Sequence, residues 1–208
     1  NELISGTVKR FVRGANLIID LGKVEALMPM KEYPKTEKYH IGDKVLALLQ
    51  SVNDTENGGA EVILSRSSPE FVRQLMIQEV PEISDGTVVI EKIVRDPGYR
   101  CKLAIRSLDI KVDPVGACVG KRGMRVKNVM RELLNEKIDI IPASNDPVEL
   151  LQNALSPIEI RKISVNEDED VISIVVDDDD FAAVLGKRGM NARLNGDLIG
   201  RSEERRVG

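Results

Sequence analysis

The pentapeptide GKRGM occurs twice, at residues 120–124 and 186–190, each time directly after a short apolar run. Glycine at both ends permits a tight chain reversal with positive φ and leaves the backbone open to a ligand. A helix starting at such a turn adds unpaired N–H groups and the positive end of its dipole. Lys121 and Arg122 in one copy, and Lys187 and Arg188 in the other, each contribute two mobile cations. That chemistry suits a phosphodiester backbone. A single G-x-x-G is a weak signal, and its plain alternative is a charged connection between helices with no ligand. Two copies with the same Lys-Arg pair, 66 residues apart, favour the ligand.

The surroundings of the two copies differ. Arg125 and Lys127 flank the first turn and Arg131 solvates the helix beyond it, while Arg100, Lys102, Arg106 and Lys111 precede it. Arg193 is the main basic addition near the second, against the acidic run at residues 177–180, which reads as capping and first-turn residues of the next helix. The net charge of −4 hides this contrast: residues 67–143 hold 13 basic and 11 acidic side chains, residues 144–208 hold 8 and 14. Position of charge decides nucleic-acid binding more than its sum does.

Other chemistries find little support. GACVGKRG has one residue too few between Gly116 and Gly120 for a phosphate-binding ATPase loop, and Arg122 stands where a Mg²⁺-holding hydroxyl belongs. Cys101 and Cys118 form no C-x-x-C pattern and His40 is the single histidine, so no metal, no cofactor and no catalytic constellation is expected. The cysteines read as small buried hydrophobes. No apolar run approaches the roughly 18 residues of a membrane span, and nothing resembles a signal peptide, so a cytoplasmic protein without membrane partners is expected.

Three modules position these residues. Residues 1–66 read as all-β: SGTVKRF, NLIIDLG, VEALMPM, DKVLALLQSV and AEVILSRS are short β-rich runs separated by turns, at the spacing of a small barrel. Phe11 is expected in its core, with Lys9, Arg13 and Asp20 outward. Residues 67–143 begin with SSPEFVRQLMIQEVPEI, a helix N-capped by Ser68 with Pro69 in its first turn. Two strands follow around Asp96-Pro97-Gly98, then a short helix, the glycine turn, a longer helix with Val126, Val129, Met130, Leu133 and Leu134 inward, and a closing strand. Residues 144–200 repeat the α-β-β-α-α order. The closing strand should come next, but RSEERRVG at residues 201–208 is too polar, and a disordered or non-native tail is expected there.

The α-β-β-α-α-β order with G-x-x-G between helices resembles a bacterial-type (type II) KH domain, a family whose turn clamps about four single-stranded nucleotides. The first module resembles an S1 domain, an OB-type barrel. The motifs LSRSSPEFVRQL, EVPEISDGTVVI, VRDPGYR, DPVGACVGKRGMRV, EKIDII and GKRGMNARLNGDLIG make the whole similar to the NusA family of transcription elongation and termination factors, without its N-terminal polymerase-binding region. The fold implied is multidomain α+β, S1 then KH then KH.

The resemblance implies a non-enzymatic, monomeric factor that binds single-stranded nascent RNA and acts in pausing, termination and antitermination. RNA polymerase and other elongation and antitermination factors are the implied partners. Carried over by residue, Gly120, Lys121, Arg122, Gly123, Gly186, Lys187, Arg188 and Gly189 would hold RNA. Met124, Arg125, Lys127, Met190, Asn191 and Arg193 would line the grooves. The barrel departs from its family, with Asn16, Leu17 and Pro29 where stacking aromatics and a histidine are usual. Base stacking of about 1–3 kcal/mol per base is then largely lost, leaving weak binding through Lys9, Arg10 and Arg13. The RNA-binding tail of an RNA-degrading enzyme usually carries one KH before one S1, the opposite order. A protein-interaction scaffold leaves the repeated Lys-Arg turn without a purpose.

Overall fold

The computed structural model describes residues 2–55 and 58–200. Strands β1 (Leu3–Val12), β2 (Asn16–Asp20), β3 (Glu25–Met28), β4 (Lys44–Asp54) and β5 (Ala60–Ser65) close into a barrel in the order β1-β2-β3-β5-β4. Alternation along β2 sends Leu17 and Ile19 inward, where they meet Val8, Ala26, Met28 and Leu64. Phe11 departs from expectation. Its register opposite Leu17 gives it the inner side, but it is the penultimate residue of β1 and remains 43% exposed.

The first α/β unit contains α1 (Pro69–Glu79), α2 (Pro81–Ser84), β6 (Val88–Asp96), β7 (Arg100–Ser107), α3 (Pro114–Val119), α4 (Met124–Glu132) and β8 (Lys137–Pro142). Ser68 Oγ accepts from the Glu70 N–H at 3.2 Å and starts α1. The single helix expected over this stretch is two, because Pro81 has no N–H to continue α1, which ends at Val80. The sheet runs β6-β7-β8, with β7 and β8 parallel. Phe71, Leu75, Met76, Leu103, Ile105, Val129 and Leu133 pack between the helices and one sheet face. Leu134, expected inward, is exposed: α4 has ended, and Leu134 takes a left-handed φ of 52°. Both cysteines are fully buried, and burial raises both thiols, Cys118 to about 11.

The second unit contains α5 (Pro147–Leu155), β9 (Ile160–Asn166), β10 (Val171–Val176), α6 (Asp178–Leu185) and α7 (Met190–Ile199). Its sheet is the antiparallel pair β9–β10 among the described residues. The expected polar tail, residues 201–208, lies outside them. Leu150, Leu194 and Leu198 from α5 and α7 pack against Val94, Ala104 and Ile141, on the other face of the first unit's sheet. That sheet is therefore covered on both sides.

Two buried arginines join the barrel to the first unit. Arg66, the residue after β5, donates from Nε and Nη2 to the Glu37 carboxylate at 2.8 and 2.9 Å. It also reaches the Glu132 carboxylate at the end of α4 (3.0 Å) and stacks over Phe71. Burial alone would lower the pKa of Arg66, but hydrogen bonds and charge from Glu37 outweigh it and hold the side chain firmly cationic. Arg95 pairs with the fully buried Glu136 at 2.8 and 2.9 Å and donates to the carbonyls of Arg66 and Ser68.

Candidate nucleic-acid interface

Each GKRG turn is built the same way. Gly120 ends α3 at φ 75°, ψ 173°, and Gly186 ends α6 at φ 72°, ψ 171°, a region essentially reserved for glycine. Space gives the same requirement. A Cβ on Gly120 would lie 2.6 Å from Arg125 Cγ, and one on Gly186 would lie 2.7 Å from Asn191 Cβ. A 3₁₀ turn follows, Lys121–Gly123 or Lys187–Gly189, closed by the N–H of the second glycine on the carbonyl of the first at 3.0 and 3.1 Å. Within it Arg122 and Arg188 take left-handed φ values of 55° and 57°, an uncommon conformation for a residue with a side chain. Helices α4 and α7 then begin with no side-chain cap, and the N–H groups of Met124 and Met190 bond back to the carbonyls of Lys121 and Lys187.

The cations at the tips are exposed. Among the described residues Lys121, Arg122, Lys187 and Arg188 make no ion pair. Lys127 Nζ reaches back 3.3 Å to the carbonyl of Arg122, so it stays beside the first turn. Met124 is exposed next to it.

Several expected site residues are engaged elsewhere. Arg193 pairs with Asp96 of β6 and ties α7 to the first unit. Met190 packs against the core between the two units. Arg125 donates to Glu82 of α2 at 2.8 Å and to the Ala117 carbonyl at 2.7 Å. Asn191 is buried and donates to the carbonyls of Ala183 and Val184. Three of the four basic side chains before the first turn are also occupied: Arg100 and Lys102 hold Asp139, and Arg106 holds Glu91. Lys102 is buried, and burial lowers its pKa against the opposing pull of Asp139.

The acidic run takes the expected N-cap and first-turn positions of α6, with Asp178, Asp179 and Asp180 in the first turn. Asp177 stands at the N-cap of α6 without a capping hydrogen bond, and its carboxylate grips Arg161 at 2.6 and 3.0 Å. On the barrel, Lys9 and Arg10 both bind Glu25 (2.7 and 2.8 Å), and their hydrogen bonds lower its pKa to about 2. Sequence reasoning missed Glu82, which lines the depression at the first turn with Gly120, Lys121, Arg122 and Arg125. It lies in a separate helix 38 residues before the turn, with no local pattern to mark it.

A five-stranded barrel followed by two α/β units, each with a glycine-bracketed basic turn between helices, defines an S1–KH–KH protein. Residues 66–143 match the NusA-like first KH domain and residues 147–203 the NusA-like second KH domain. The chain belongs to the NusA family. It is 42% identical over 199 residues to the transcription termination/antitermination protein NusA of Halalkalibacterium halodurans, covering 96% of this chain and 52% of that protein. The NusA of Bacillus subtilis is 40% identical over 199 residues, covering 96% and 53%, and that of Borreliella burgdorferi 40% over 200, covering 96% and 41%. The chain thus spans about half the length of the curated relatives it matches. No described helix is long and apolar enough to cross a membrane.

Proposed function

We propose that the two GKRG turns grip the phosphates of one single-stranded RNA. Within a longer protein of the NusA family, that RNA is the nascent transcript, and the partners are RNA polymerase and the elongation and antitermination factors that assemble on it. The chain works as a cytoplasmic monomer and carries no catalytic step of its own. The observation that supports this most is the pair of unpaired Lys-Arg tips on turns of matching backbone geometry. Lys121, Arg122, Lys127, Lys187 and Arg188 supply the charge, and Gly120, Gly123, Gly186 and Gly189 the open backbone. Met124 covers the strand beside the first turn, while Arg125, Met190, Asn191 and Arg193 act by fixing the turns in place.

The units divide near residues 66 and 143, and the core between the second and third supports a fixed spacing of the turns. Two weak clamps at fixed spacing gain affinity through effective concentration. A length series of unstructured RNAs tests this. Affinity should rise sharply once one strand reaches both turns, and a smooth rise with length would contradict it.

A further inference from the structure

An acid is built in beside the first turn. Glu82 of α2 lines the depression of about 550 Å³ at that turn, together with Gly120, Lys121, Arg122 and Arg125. Its Oε2 accepts from Arg125 Nη1 at 2.8 Å, and the same Nη1 donates to the Ala117 carbonyl at 2.7 Å. Arg125 passes directly beneath the turn, since a Cβ on Gly120 would fall 2.6 Å from its Cγ. Both side chains of the pair are 31% exposed, so solvent screens their charges only in part. The second turn is different. Asn191 takes the place of Arg125 and donates to the Ala183 and Val184 carbonyls, and among the described residues no carboxylate bonds to it. The acids that precede this turn, Asp178 to Asp180, sit at the far end of α6, and Asp180 is roughly 9 Å along the helix from Gly186.

A carboxylate in this place has two opposite effects. It anchors Arg125 under the turn, and it sets one negative charge among the cations that a phosphate would meet. The anchor needs only an acceptor, which an amide oxygen also supplies. The full charge is what opposes a polyanion. At separations on the scale of the screening length, about 8 Å at physiological ionic strength, one unit charge changes the affinity for an anion by a few-fold. We infer that Glu82 sets the strength of the first clamp: its charge offsets part of the pull of Lys121 and Arg122 on the RNA phosphates. The first turn then binds more weakly than its cations alone would make it, and it exchanges its phosphate faster, which suits a strand that must advance as it grows. The second turn carries no such moderating acid. This inference rests on the RNA-binding reading above.

The test measures binding of an unstructured uridine octamer to the whole chain carrying Lys187→Asp/Arg188→Asp, so that the first turn is the remaining clamp. Adding Glu82→Gln keeps an acceptor for Arg125 and removes the charge. It should tighten binding by about two- to ten-fold at low salt. The gain should shrink as salt rises, because the lost charge is increasingly screened. Glu82→Asp, which keeps the charge, should bring no gain, and thermal unfolding checks that each variant is folded. Unchanged or weaker binding by Glu82→Gln would overturn the inference and leave Glu82 as an anchor for Arg125, with RNA binding intact. A gain that persists when Lys121→Asp/Arg122→Asp replaces the second-turn changes would overturn it too. Absence of any binding, in wild type and variants alike, would instead remove the RNA reading on which it stands.

Discussion

Arg125 and Asn191 do the same structural job in the two units. Each lies five residues after the first glycine of its turn, and each side chain caps a carbonyl at the end of the preceding helix. Arg125 reaches Ala117 at 2.7 Å and Asn191 reaches Ala183 at 3.0 Å. The cap locks the helix end against the start of the next helix, and glycine is needed because that side chain passes directly beneath the turn. The turn is thus held in shape before any ligand arrives, which reduces the ordering cost of binding.

Gly120→Ala and Gly186→Ala should each destabilise the protein. Forcing a side chain into that backbone region costs about 1–3 kcal/mol, and the clash with the capping residue adds to it. Urea unfolding measures the loss, and RNA affinity should fall with it. A stable, tightly binding Gly120→Ala variant would contradict the pre-shaped turn.

Arg66→Ala should be among the most damaging single changes. It leaves Glu37, whose side chain is 2% exposed, as a buried charge without its cation. Breaking such a pair costs about 3–5 kcal/mol. Replacing both partners, as Arg66→Met with Glu37→Leu, should recover part of the loss in the urea midpoint, because no charge is then stranded.

How much of this could be read in advance differs by level. The barrel strands, the two turns and the helices around them follow from apolar periodicity and from Gly, Pro and Ser punctuation, which are local signals. The fate of individual cations does not. Arg193 beside the second turn and Arg100 in the basic middle segment look available to phosphate, yet their carboxylate partners Asp96 and Asp139 come from other elements. Glu82 and Glu37 are likewise given meaning only by chain segments 43 and 29 residues away. The break before Pro81 is visible in the residue itself, and an apolar pattern running through it conceals it. Phe11 is misplaced because alternation gives the side of a strand and not its depth in the barrel.

Asp139 should make stability acid-sensitive. Burial pushes its carboxyl up, but the Arg100 hydrogen bond and the Lys102 charge outweigh this and hold it below its ordinary value of 3.8. The folded pKa is depressed, so the contribution is present above the unfolded value and lost as pH falls through the folded one. Asp139→Asn should be less stable at neutral pH and show a flatter loss below about pH 4. Urea unfolding across that range measures both.

Leu198→Ala should loosen the second unit from the first. The side chain is 1% exposed in the core between them, and such truncations cost about 2–5 kcal/mol. Affinity for an RNA spanning both turns should drop toward that of a short RNA held by one. Arg193→Ala should do much less, because an ion pair with one partner 57% exposed contributes about 0–1 kcal/mol.

The most direct test of the two-turn platform is RNA binding at two salt concentrations, comparing wild type with Lys121→Asp/Arg122→Asp, Lys187→Asp/Arg188→Asp and the combination. Each pair should weaken binding and flatten the salt dependence, since a protein that neutralises fewer phosphates releases fewer counterions. The combination should abolish specific binding. Unchanged affinity and salt slope in all three variants would contradict the account and place the RNA, or another ligand, away from both turns.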